Sequence, residues 1–182
     1  MKRIRLAMVR ENMQDIPQYT LPEGFKMRLF EKGDEHYWAN TETRVDEFID
    51  EKAALNHFSK EFGDHTDEMI ERCLFIEDEN GDVIATTTAW YGNLEGYDEV
   101  LGRIHWVGVV PEYQGRKLSK PLLSAAMNIL AENHTKAYLT SQTTSYQAVN
   151  MYLNYGFKPL MINPTCQEAW ALMEKTLNRK II

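Results

Sequence analysis

The stretch Val109–Leu123, VVPEYQGRKLSKPLL, decides how this chain is read. A β-branched pair precedes a turn-forming proline and a short basic loop. Leu118, Leu122, Ala126, Ile129 and Leu130 then recur at helical spacing, which predicts a helix from about Arg116 to Glu132. Where a strand gives way to a helix, the first helical amides lack intrahelical partners, and the helix dipole adds partial positive charge. Arg116, Lys117 and Lys120 concentrate cations at that point, in a chain of net charge −7. A pyrophosphate fits such a place. The competing reading is a strand–helix turn whose basic side chains are only solvated.

A chain of 182 residues is long enough for one domain with a full core and short for two. Hydrophobic residues at 43% and charged residues at 26% place it among globular proteins. No apolar run is long enough to suggest a membrane span, so no membrane partner is expected. The opening MKRIRLAMVRENM is basic but lacks the apolar region and cleavage site of a signal peptide. Cys73 and Cys166 form no metal-ligand spacing, which leads to an expectation of no metal and a reducing, cytoplasmic setting. The acidic balance excludes nucleic acid as a principal partner and agrees with cationic substrates.

No internal repeat or linker divides the chain, so 1–182 reads as a single domain. Residues 1–24 read as an N-terminal extension, with a strand at Ile4–Val9. FKMRLF, 25–30, alternates like a strand, and Gly33-Asp34 opens a helix with Asp34 as its cap. A second helix is predicted over Val45–Phe62, with Phe48, Leu55, Phe58 and Phe62 on one stripe. Two strand-like runs flank Asn80-Gly81, which predicts a hairpin with a type I′ turn. Strands follow at 102–110, 136–140 and 157–162, with a helix over Tyr146–Tyr155 stopped by Gly156. Thr165-x-x-Glu168 reads as a capping box opening a terminal helix in 163–182. The fold class is α/β, a mixed central sheet flanked by helices.

The quoted loop resembles the cofactor motif V-x-P-x-x-[QR]-x-x-G-x-[GA] of the GCN5-related N-acetyltransferase (GNAT) superfamily, through Val109, Pro111, Gln114 and Gly115. SYQAVNMYLNYGF, 145–157, resembles the family's later motif through Ala148, Tyr152, Gly156 and Phe157. The resemblance covers 25–162 as the family core. It implies acetyl-CoA as cosubstrate, held by the backbone of Gln114, Gly115, Arg116, Lys117, Leu118 and Ser119, with Val109 at the thioester and Ser145 at the cofactor arm. Four positions depart from the family pattern. Lys117 stands for a usual glycine, Ser119 for glycine or alanine, Ser145 for asparagine, and Arg103 for the strand glutamate that serves many members as base. Most members also close on a strand, where 165–178 reads as helix.

Acetyl transfer needs a neutral amine, a donor for the carbonyl oxygen and a proton for the leaving thiolate. An alkyl amine has a pKa of about 10.4, so it must lose a proton near neutral pH. His105, on the strand entering the loop, is the candidate base, and imidazole accepts at that pH. By the resemblance Tyr152 is the general acid, and a backbone N–H near Val109 serves the oxyanion. The alternative for both side chains is packing. Trp38, Trp90, Tyr91 and Trp106 read either as walls of an acceptor pocket or as core. GDHTDE, 63–68, reads as a solvated loop rather than a metal site, and Cys73 as a buried, inert thiol. The expected function is acetylation of a primary amine of a small molecule, as a monomer or a homodimer. A protein acetyltransferase and a catalytically silent acyl-CoA sensor are the alternatives.

Overall fold

The computed structural model describes residues 1–162 and 164–182. Seven strands form one mixed sheet: β1 (Arg5–Arg10), β2 (Lys26–Leu29), β3 (Cys73–Glu77), β4 (Val83–Gly92), β5 (Leu101–Val109), β6 (Ala137–Gln142) and β7 (Lys158–Leu160). Their order is β2-β3-β4-β5-β6-β1-β7. Among the described residues six α-helices accompany them: α1 (Glu35–Arg44), α2 (Glu51–Phe62), α3 (Thr66–Arg72), α4 (Ser119–Ala131), α5 (Tyr146–Asn154) and α6 (Thr165–Leu177). By contact density the chain forms two compact units.

One unit holds residues 1–17, 91–103 and 130–182. In it β5 and β6 run parallel, and β1 pairs antiparallel with both β6 and β7. Leu6, Ala7, Met8 and Val9 are all buried. The segment read as an extension is therefore an inner strand. Its apolar run is what a strand covered on both faces requires. Helix α5 ends in a Schellman turn: Phe157 N–H donates to the Tyr152 carbonyl and Gly156 N–H to Leu153. Gly156 sits at φ +80°, and a β-carbon there would come within 3.2 Å of Arg10 Nη1. The left-handed conformation favours glycine, and the Arg10 guanidinium leaves little room for a β-carbon. The terminal segment is helix, as its periodicity predicts, but the capping box does not form. Thr165 is the first helical residue, Pro164 takes the cap position, and the Glu168 carboxylate accepts from Lys2 Nζ at 2.6 Å.

The other unit holds residues 18–90 and 104–129. Strands β2, β3 and β4 make an antiparallel meander, with α1 and α2 packed as a pair. Phe58 stacks on Phe30 at 5.9 Å and meets Trp38 edge-on at 5.3 Å, with Phe62 beside it. Burying each such ring stabilises by roughly 1.5–3 kcal/mol. The predicted helix at Val45 starts later. Helix α1 ends in a second Schellman turn, Glu47 N–H to Glu42 and Asp46 N–H to Thr43, with Asp46 at φ +63°. Helix α2 then begins after Asp50, whose carboxylate caps the Ala53 N–H at 2.7 Å. An aspartate in the left-handed position hid the break, because glycine is the usual signal there. Asp34 precedes α1 without capping it, since its carboxylate accepts from Arg28 and the Glu31 N–H. The hairpin forms at the expected place with a different turn. Only Gly81 has positive φ, +84°, and Asp78 N–H donates to the Asp82 carbonyl across a bulged loop.

Candidate functional site

The decisive loop runs from the end of β5 to the start of α4, within the second unit. Helix α4 begins at Ser119, three residues later than the periodicity predicts. The reason lies in the backbone: Gly115 at φ +77° and Lys117 at φ +64° are both left-handed, which no helix accommodates. The Lys117 position, where the resemblance expects glycine, keeps a glycine-like conformation with a lysine in it. Gln114, Gly115, Arg116 and Lys117 are exposed, Ser119 is partly exposed, and Leu118 is buried as the anchor. A β-carbon on Gly115 would meet nothing within 4 Å, so the space over that turn is open. Gln114 Nε2 donates to the Val109 carbonyl at 3.0 Å, closing the loop on its own strand. The Arg116 guanidinium lies 4.6 Å from the Tyr113 ring centroid. The first intrahelical bond is Leu122 N–H to the Leu118 carbonyl, and Pro121 removes one of the opening N–H groups. An exposed run of backbone at a helix start, with two basic side chains, suits the phosphates of an acyl-CoA.

On β5 the strand is distorted at Trp106, which has φ +51°. A bulky residue there is a genuine outlier, of the kind that re-aims neighbouring groups in a strand. Around it Trp38, Phe48, His57 and His105 pack ring against ring, each with its centroid 5.0–5.4 Å from that of Trp106. At the centre is Glu61 of α2. Its Oε1 lies 2.6 Å from His105 Nε2, and its Oε2 accepts from Trp106 Nε1 at 2.9 Å and faces His57 Nε2 at 2.9 Å. Burial opposes ionisation of Glu61, but the hydrogen bond and charge of His105, with the bonds from Trp106 and His57, outweigh it. The carboxyl is drawn down to about 2. The His105 side chain is only 11% exposed.

A second carboxyl, Glu42 of α1, also packs against β5. A β-carbon on Gly108 would lie 3.2 Å from Glu42 Oε1 and 3.3 Å from Val45 Cγ2, so glycine lets α1 approach the strand. Both Glu42 oxygens are buried without a hydrogen-bond partner among the described residues. Burial first, then the charge of Glu47, pushes its carboxyl up to about 8. Sequence reading missed both glutamates. The signal for Glu42 was its i+4 spacing from Trp38 on the buried face of α1. Glu61 offered only its four-residue spacing from His57, because its other partners, His105 and Trp106, lie more than forty residues away.

In the first unit Ser145 precedes α5 and accepts from Gln142 Nε2 at 3.1 Å. Tyr152 lies on the packed face of α5, 5% exposed, with its ring edge-on to Phe157 at 6.2 Å. Arg103 of β5 extends over the Tyr138 ring at 5.7 Å. Trp38 and Trp90 are buried, and Trp38 and Trp106 belong to the aromatic cluster about Glu61. In the GDHTDE stretch His65 pairs with Glu68 at 2.7 Å. Cys73 is fully buried, and burial pushes its thiol up to about 12, as expected of an inert cysteine. No described helix is long and apolar enough to cross a membrane.

A model of the acetyltransferase (GNAT) family matches residues 33–157. The mycothiol acetyltransferase of Streptomyces griseus is 28% identical over 147 residues, covering 79% of this chain and 46% of that protein. That of Kocuria rhizophila is 28% identical over 163 residues, covering 85% and 53%. The chain thus spans about half the length of these curated relatives. A GCN5-related N-acetyltransferase of Sphaerobacter thermophilus shares the fold at TM-score 0.66 and 20% identity, over 87% of this chain and 49% of that one. Glucosamine-6-phosphate N-acetyltransferase of Arabidopsis thaliana does so at TM-score 0.55 and 18% identity, over 78% and 96%.

Proposed function

The chain belongs to the acetyltransferase (GNAT) family, and from that premise we propose that it transfers an acetyl group from acetyl-CoA to the primary amine of a small molecule. The observation that carries this reading is the exposed Gln114–Ser119 loop. Its left-handed turns and basic pair stand at the head of α4. Support for a small acceptor comes from relatives named for mycothiol.

Acetyl-CoA supplies the acyl group, activated as a thioester. The loop backbone, with Arg116 and Lys117, holds the phosphates, and Ser145 serves the cofactor arm. His105, its ring fixed by Glu61, takes the proton of the attacking amine. A backbone N–H near Val109 steadies the carbonyl oxygen as the C–N bond forms and the C–S bond breaks. Tyr152 returns a proton to the departing thiolate.

The test is binding and turnover. Acetyl-CoA raises the melting temperature, because a ligand bound only to the native state stabilises it by mass action. Arg116→Glu with Lys117→Glu weakens its affinity by about tenfold or more. Thiol release with amine acceptors, set beside lysine peptides, separates the small-molecule enzyme from a protein acetyltransferase. Binding without thiol release marks a sensor. An unmoved melting curve at millimolar acetyl-CoA removes the cofactor assignment.

A further inference from the structure

The first unit contains a cavity of about 400 Å³ that the loop, His105 and Tyr152 do not line. Its floor is one face of the sheet. The register pairs Ala7 with Thr140 and Arg103 with Tyr138, so Arg5, Ala7, Tyr138, Thr140 and Arg103 point to the same side. Leu94 and Ile162 give it apolar walls.

Arg103 is the unexplained group. Its Nε is buried, and among the described residues no hydrogen bond satisfies that atom; the guanidinium lies over the Tyr138 ring. Buried polar atoms in native proteins are nearly always paired, and a guanidinium most of all. Arg5 lines the same cavity and has no described ion pair, so two cations face it in a chain of net charge −7.

We propose that this cavity binds the carboxylate of a small amino acid, with Arg103 as its principal partner. The planar guanidinium fork matches a carboxylate, and the Thr140 hydroxyl can donate beside it. Glu95 also lines the cavity. It disfavours a dianionic phosphate and offers a partner to the ligand's ammonium group. The apolar walls favour an aliphatic or aromatic side chain. None of the residues assigned to acetyl transfer lines this cavity, so the ligand site goes beyond the acetyltransferase reading and does not depend on it.

The test is calorimetric titration with L-leucine, L-methionine and L-phenylalanine, each beside its amide. At least one amino acid binds, and its amide binds about tenfold more weakly or worse, the usual worth of one charge-assisted contact. Arg103→Met loses the same factor, and Arg103→Lys, which keeps the charge without the fork, falls between. Should Arg103→Met fail to fold, Thr140→Val takes its place and weakens the amino acid by removing the hydroxyl donor. Equal binding of acid and amide overturns the proposal. So does unchanged affinity in Arg103→Met, or no binding of any of the three at about 10 mM. Acetyl-CoA affinity, measured on the same samples, shows separately whether the family-level reading stands.

Discussion

Glu42 and Glu61 are two glutamates of one unit, both set against β5, and their environments treat them oppositely. Glu61 accepts from an indole and faces two imidazoles, and is held ionised. Glu42 lies against a glycine with no partner for either oxygen among the described residues, and is held neutral. Both lose water on folding. What separates them is whether partners replace the water, since desolvation dominates a carboxyl only when nothing compensates it. A carboxylate that pins two strand side chains suits the support of a base. A neutral carboxyl suits a place where charge would be costly.

The largest expected effect tests the ionised member of the pair. His105→Gln lowers kcat/KM for a good amine acceptor by roughly 10²-fold, the lower end of what a positioned base contributes. It also abolishes the rise of rate with pH that belongs to the enzyme. Acceptors of different pKa separate that limb from the amine's own ionisation. A limb that survives in the mutant returns His105 to a structural role, and the contrast between the glutamates becomes one of packing alone.

Stability against pH measures the contrast directly. Glu42 sits near 8 when folded against 4.5 ordinarily, so the native state holds an extra proton across that window. Stability therefore falls as pH rises from about 4.5 to 8, by up to about 1.4 kcal/mol per pH unit. Glu61, depressed to about 2, contributes stability that is complete above 4.5 and lost as pH falls toward 2. In urea unfolding across pH, Glu42→Gln flattens the neutral slope and Glu61→Gln flattens the acid one. If each variant leaves its own slope unchanged, the opposite charge states are wrong.

The smallest effect concerns the glycine between α1 and β5. Gly108→Ala places a methyl group within 3.2 Å of the Glu42 carboxyl and 3.3 Å of Val45, costing about 1 kcal/mol in overpacking. In the Glu42→Ala background the cost shrinks, because the carboxyl no longer occupies the space. A double-mutant cycle by chemical denaturation reads the coupling.

The sequence by itself determined the elements whose signals are local. Alternation and periodicity placed β2, β4, α4, α5 and α6, and the spacing of Val109, Pro111, Gln114 and Gly115, joined by the later motif at Ala148, Tyr152, Gly156 and Phe157, pointed to the acetyltransferase family. The loop proposed to hold the cofactor could be picked out from sequence because its residues are consecutive. Glu61 was not, since it meets His105 and Trp106 only after α2 packs on the strand. Arg5 and Arg103 likewise reach one cavity only because β1 lies inside the sheet, beside β6, a placement that its short apolar run did not announce. Left-handed Asp46 and Lys117 shifted the helix boundaries because neither is glycine, the residue that ordinarily signals such a turn. Local conformation is written in neighbouring residues. Charge state and cavity lining depend on which distant groups replace water, and only the tertiary structure decided that.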